Sequence, residues 1–162
     1  MTGRQWFGLL CGAAAAVVAA SSVLRVNISP SVPEGLYVVV SRDVKRGAYV
    51  EMCQPEWIRK LTSTREEEGR CPDGSMTSIK PVAAVAGDVV VTSAEGIEVN
   101  GVQIPNSRAL PGIPRVADGR YVVASGDVWL ISHHHPASID SRYYGGQPTA
   151  IVLRQVAPIY TW

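Results

Sequence analysis

Phenylalanine occurs once in 162 residues, lysine three times and histidine three times. With a single Phe, the core must come mainly from Val, Ile, Ala and Tyr. Neither sign of charge is in excess: 15 basic residues face 14 acidic ones, for a net charge of +1. That balance leaves no electrostatic footprint for a nucleic-acid partner. Long helical periodicities are scarce. Fifteen glycines and eleven prolines instead favour a β-rich fold with many turns. The length suits one domain able to bury a core.

One long uncharged run is present, Trp6 to Leu24 (WFGLLCGAAAAVVAASSVL). As a helix it is just long enough to cross a bilayer, with Trp6 at the interface. It reads either as a cleaved signal peptide, with Ala19 to Ser21 as the cleavage region, or as a retained anchor. The anchor is favoured because the apolar run continues through Val23 and Leu24. Arg4 predicts an inside N-terminus and an outside domain. Leu10 is too bulky for Cys11 to be a lipid-attachment site. The organisation expected is an anchor or signal segment over residues 1–25 and an extracytoplasmic domain over 26–162.

Strands are expected at Leu36–Val40, Ala48–Met52, within 75–85, at Val89–Val91, Tyr121–Val123, Val128–Ile131 and Ala150–Val156. Asn100-Gly101 between alternating residues predicts a β-hairpin over 97–104. A helical insert is expected at about 54–70, from the spacing of Trp57, Ile58 and Leu61. Cys53 and Cys71 bracket it. In an exported domain that spacing reads as a disulfide, worth about 3 kcal/mol in the chain-entropy model. Two unpaired thiols are the alternative. Adjacent residues of an extended strand point to opposite sides, so His133, His134 and His135 do not suit one metal. They read as a polar loop, and no metal or cofactor is expected.

Ser31 lies between Pro30 and Pro33, ahead of a strand. Prolines fix φ and push their neighbours toward extended geometry, which presents the hydroxyl on a stiff backbone. An ordinary proline-rich turn is the alternative. A nucleophilic serine needs a base: histidine backed by aspartate, or an uncharged lysine. Lys45 sits in a turn and Lys60 beside Arg59 on the helix, and both read as solvated. Lys80 alone lies in an apolar run, SMTSIKPVAAV. Burial would lower its pKa toward the range of a general base. A lysine whose head reaches the surface is the alternative. Pro81 lacks an N–H, so this strand should be an edge or be kinked there.

Three segments together resemble one family. Ser31-Val32-Pro33-Glu34-Gly35-Leu36-Tyr37 resembles a nucleophile box. Lys80, with Val82 and Gly87-Asp88, resembles the lysine box of bacterial type I signal peptidases. Ser138-x-Asp140-Ser141-Arg142-Tyr143-x-Gly145 resembles their late box. The order, the preceding apolar segment, Cys53 with Cys71 ahead of the lysine, and the ending Tyr160-Thr161-Trp162 are most similar to the TraF-type conjugative transfer signal peptidases. Type I signal peptidases in general place the proline one residue further from the serine. Pro81 stands where the family often has arginine, and Ala86 replaces the usual proline before Gly87.

The resemblance implies a membrane-anchored, mainly antiparallel β domain. It implies Ser31 as acyl-forming nucleophile and Lys80 as general base. Ser138 would orient Lys80, and Asp140 and Arg142 would form a structural ion pair. The Ser31 N–H, helped by the Ser29 hydroxyl, would hold the oxyanion. The implied substrate is an exported, pilin-like precursor bound as an extended strand at the inner membrane, with the catalytic domain on the periplasmic side. In this family cleavage can be coupled to cyclisation of the product. Against this stand a general signal peptidase, a self-cleaving repressor-type protease and a non-catalytic assembly protein of an export apparatus. The apolar N-terminal segment disfavours the repressor, and the serine box disfavours general processing. A lysine buried without a catalytic role would only destabilise an assembly protein.

Overall fold

The computed structural model describes residues 6–7, 21–62 and 69–162. Most of the run expected to enter a membrane therefore lies outside the described residues, Cys11 included. Among the described residues no helix is long and apolar enough to cross a bilayer.

The elements in order are β1 (Leu24–Asn27), β2 (Gly35–Ser41), β3 (Tyr49–Cys53), α1 (Glu56–Thr62), β4 (Thr77–Val85), β5 (Val89–Ser93) and β6 (Gly96–Val99). Then follow β7 (Val102–Gln103), β8 (Gly119–Val122), β9 (Asp127–Leu130), α2 (Ser141–Tyr144), β10 (Gln147–Pro148) and β11 (Val152–Thr161). A seven-stranded sheet has the order β1-β2-β11-β3-β4-β9-β10, and a four-stranded sheet the order β7-β6-β5-β8. Every pairing is antiparallel. The fold is mainly antiparallel β with few helices.

The hairpin expected at Asn100-Gly101 joins β6 to β7, with both residues at positive φ (52° and 80°). A two-residue turn needs that conformation to match the strand twist. Ala84, Val90, Val99, Trp129 and Ile131 form a core cluster that spans the two sheets. Val32, Tyr37, Ile79 and Val156 form a smaller one beneath the serine box.

Two expectations need correction, and a third is met in one of its two forms. Leu24 begins β1, so strand structure starts ahead of the boundary expected between residues 25 and 26. The helix expected to run to Arg70 is not helical at its end. Gly69 and Arg70 belong to a tight loop in which the Gly69 N–H donates to Gly74 O at 2.6 Å. There Gly69 approaches the Ser75 carbonyl more closely than any Cβ could. Finally, β4, expected to be an edge or kinked at Pro81, changes partner there. It pairs with β3 over Thr77–Pro81 and with β9 from Val82 onward, with a register shift between Val82 and Ala84. Pro81 sits at this handover, so its missing N–H costs no ladder bond while its carbonyl accepts from Ile131 N at 3.2 Å. The kink is real. Edge character is confined to the strand's first half, where no described strand pairs on the side away from β3.

The C-terminus returns to the serine box. In β11, Tyr160 pairs with Leu36 and Thr161 with Gly35. The Trp162 N–H donates to Glu34 O at 3.1 Å. At Gly35 (φ 155°) a Cβ would collide with the Tyr160 carbonyl. Glycine in the box and the Tyr160-Thr161-Trp162 ending are thus two halves of one contact.

Candidate active site

The sheet is strongly curled. Arg25 of β1 reaches Glu51 of β3 at 2.7 Å, although β2 and β11 separate these strands in the sheet order. The same curl brings the segment after β1 onto β4, and with it Ser31 onto Lys80. Lys80 Nζ lies 2.7 Å from Ser31 Oγ and 2.9 Å from Ser138 Oγ, and the two hydroxyl oxygens are 3.1 Å apart. Ser29 Oγ stands 3.3 Å from Ser31 Oγ and 3.5 Å from Ser31 N.

Lys80 is only 3% exposed. Burial pushes its ammonium down from 10.5 to about 8; Asp140 works against the shift and Arg142 with it. Desolvation penalises the charged form. Near pH 8, therefore, much of Lys80 carries a lone pair, and that lone pair can accept the Ser31 or Ser138 proton. Lys45 and Lys60 are largely in water, as expected of them.

The Ser31 segment is clamped from several directions. Asn27 Nδ2 donates to the carbonyls of Ser29, Val32 and Pro33 at 2.8, 3.3 and 3.1 Å. The Tyr37 hydroxyl donates to Pro33 O at 2.6 Å, and burial pushes its pKa up to about 12. It therefore stays protonated and keeps donating. Ser132 Oγ donates to Ser31 O at 2.5 Å. Of these, sequence reasoning singled out none for a role. Tyr37 and Asn27 lie within or beside the box, but Ser132 sits 101 positions away with no local signal.

Asp140 and Arg142 form a bidentate pair, Nε to Oδ1 at 2.8 Å and Nη2 to Oδ2 at 2.9 Å. Both are almost fully buried. Asp140 also caps α2 by accepting the Arg142 N–H and accepts from Ser132 N at 3.0 Å. Arg142 donates to the carbonyls of Asn106, Arg108, Ser132 and Pro136. The pair thus binds the loop bearing Ser132 to the helix following Ser138. It does not touch Lys80 or Ser31. The three histidines follow Ser132 in an irregular segment, and no group of metal-ligating side chains is found among the described residues.

A groove of about 180 Å³ lies beside this centre, bordered by Ser29 and Ile79, the sequence neighbours of the Ser31 segment and of Lys80. Asn27, Ile28 and Ser29 line one wall, and Thr77, Ser78 and Ile79 the other. The second wall is the stretch of β4 that has no described partner on that side. Among the described residues nothing pairs with that edge, which is the geometry an added strand requires. Cys53 and Cys71 are joined as a disulfide at the far end, with Cα atoms 5.7 Å apart.

A serine hydroxyl in contact with a buried lysine is one of the arrangements from which a nucleophile and a base can be built without histidine. The chain belongs to the family described as signal peptidase, peptidase S26, whose model matches residues 5–161. It is similar to a plasmid transfer protein TraF of Escherichia coli, at 30% identity over 93% of this chain and 92% of that protein. It is also 32% identical to a probable conjugal transfer protein TraF of Sinorhizobium fredii, over 85% of this chain and 77% of that one. Among solved structures, a signal peptidase I from Enterococcus faecalis superimposes with a TM-score of 0.40 at 16% identity, covering 70% of this chain and 96% of that one.

Proposed function

We propose that this chain is a membrane-anchored serine endopeptidase with a Ser31–Lys80 dyad, processing an exported precursor for conjugation, with a pilin as its substrate. The observation that carries the reading is the 2.7 Å contact between Lys80 Nζ and Ser31 Oγ. In the neutral state Lys80 takes the Ser31 proton as Oγ attacks the scissile carbonyl. The resulting ammonium gives that proton to the leaving amine, and an acyl-enzyme remains on Ser31. Lys80 then deprotonates the nucleophile that resolves the ester. With water, the product is a free carboxylate. With the substrate's own amino terminus, the product is cyclic.

The Ser31 N–H and the Ser29 hydroxyl are the donors for the oxyanion. In the resting site the Ser31 N–H points at Ser29 Oγ from 3.5 Å, so the two groups border one small space, and an oxyanion lying to one side of that contact would take a hydrogen bond from each. Ser138 orients Lys80 by sharing its hydrogen bonds. The substrate lies as a strand along Thr77–Ile79. A position at the inner membrane, with the domain on the periplasmic side, is supported by the apolar run leading into β1. Val26 on β1, Val40 on β2, Tyr160 on β11 and Trp162 just after it are exposed and extend that apolar character.

The test is cleavage of a co-expressed pilin precursor in membranes by wild type, Ser31→Ala and Lys80→Ala, read by product mass. Cleavage by wild type alone is expected. A product lighter by one water identifies cyclisation. An active Lys80→Ala protein would refute the dyad.

A further inference from the structure

Ser132 lies in the loop between β9 and α2, and the chemistry above gives it no part. It is fully buried, and each of its polar groups is engaged. Its N–H donates to Asp140 Oδ2 at 3.0 Å, and its carbonyl accepts from Arg142 Nη2 at 2.9 Å. Its hydroxyl accepts from the N–H groups of His134 and His135 at 3.1 and 3.4 Å, and donates to Ser31 O at 2.5 Å. A hydroxyl has one hydrogen and two lone pairs. The two histidine N–H groups take up the lone pairs and so direct the hydrogen at Ser31 O.

The carbonyl that Ser132 holds belongs to the nucleophile itself. Asn27 takes the carbonyls of Ser29, Val32 and Pro33 on either side of it. The carbon of the Ser31 carbonyl is bonded to the same Cα that carries Cβ and Oγ. On the N-terminal side, the Ser31 N–H meets Ser29 Oγ at 3.5 Å, too long to fix the residue. The short contact to Ser132 therefore sets the direction of the Cα–Cβ bond, and with it the reach of Oγ toward Lys80 Nζ. At the other end of the same loop, Ser138 touches both Lys80 Nζ and Ser31 Oγ. One loop thus grips the nucleophile by its backbone and the base by its head.

We propose that Ser132 is a positioning residue for the peptidase reaction: through the Ser31 carbonyl it passes the fixed frame of the Asp140–Arg142 pair on to the nucleophile. It keeps Oγ within reach of Lys80 during attack and again while the acyl group is bonded to it. This rests on the function proposed above. It also gives the buried ion pair a route to a dyad that it does not touch. Without the Ser132 hydroxyl, Ser31 O loses this donor and the peptide turns toward another. A misplacement of about 1 Å at reacting atoms can cost about 100-fold in rate.

The test compares wild type and Ser132→Ala as full chains in mild detergent, with a purified pilin precursor as substrate. Single-turnover rates are measured against enzyme concentration and pH, and the crystal structures of both chains are determined. Ser132→Ala should lower the maximal rate about 10- to 100-fold, with the half-saturating concentration changed by less than about twofold. The rate should still rise with pH around the wild-type midpoint, because the burial that lowers the Lys80 pKa is untouched. In the crystal, Ser31 Oγ should lie beyond hydrogen-bond distance of Lys80 Nζ, against 2.7 Å with Ser132 present. Ser132→Cys, similar in size but a weaker donor, should fall between the two, and carries the same test where Ser132→Ala does not fold. An undiminished rate, a loss confined to half-saturation, a shifted pH midpoint or an unmoved Ser31 Oγ each overturn the positioning role. If wild type cleaves no precursor yet Ser31 Oγ leaves Lys80 in Ser132→Ala, the positioning stands and the peptidase reading falls. Wild-type cleavage with an unaffected variant does the reverse.

Discussion

Replacing Lys80 by methionine should make the protein more stable at pH 7 while abolishing its chemistry. The side chain is 3% exposed, and burial lowers its pKa from 10.5 to about 8. A shift of roughly 2.5 units at ~1.4 kcal/mol each means that holding the ammonium in the folded state costs roughly 3 kcal/mol. Methionine has a similar length and no charge to desolvate. The variant loses contacts from Nζ to Ser31 and Ser138, about 1 kcal/mol in net terms, because the two hydroxyls still meet each other at 3.1 Å. The expected net gain is about 2 kcal/mol.

The pH dependence fixes the sign. Below about pH 8 the lysine is charged in both folded and unfolded chains, so the whole cost is present. Between about 8 and 10.5 the folded chain has lost the proton and the unfolded chain still binds it, so wild-type stability rises with pH. The advantage of Lys80→Met should therefore shrink across that window. Urea titrations of the full chain in mild detergent at pH 7, 8, 9 and 10 measure both effects. A variant less stable than wild type at pH 7, or a difference that stays flat from pH 8 to 10, would refute the buried-charge argument.

The remaining expectations concern rate and scaffold. Precursor cleavage should rise with pH through about 8 and then level off, since only neutral Lys80 accepts the Ser31 proton; single-turnover rates from pH 6 to 10 check this, and a rate falling over that range would contradict it. Asp140→Asn leaves the buried Arg142 guanidinium without its carboxylate and should cost about 3–5 kcal/mol, seen as a lowered urea midpoint; a loss below about 1 kcal/mol would show that the four carbonyls around Arg142 suffice. Gly35→Ala forces a methyl against the Tyr160 carbonyl and should cost roughly 2 kcal/mol or more, whereas Gly47→Ala, with open space at the same atom, should cost less; equal losses would count against the contact.

Much of the site was readable from residue types because few residues could do the work. With three lysines and two of them in turn or helix-surface contexts, Lys80 was the one candidate for a neutral base. Local backbone preferences placed most strands and the Asn100-Gly101 turn. They erred where the chain's conformation is decided by contacts rather than propensity. Gly69 leaves the expected helix because it packs against the Ser75 carbonyl. Leu24 looks like the end of an apolar helix but pairs with Val38 in β1.

By itself, then, the sequence determined which groups have the right chemistry, and roughly which short segments are extended or turned. These are properties of side-chain type and of φ/ψ preferences over a few residues. Only the tertiary structure decided what meets what. Ser31 and Lys80 are 49 positions apart and Ser31 and Ser138 are 107 apart, and no local preference reports such distances. The curl of the seven-stranded sheet brings them together. It also places Ser132 on the Ser31 carbonyl and joins Arg25 to Glu51. That curl is a sum over every strand pairing and register shift, so it exists only once the whole sheet has formed.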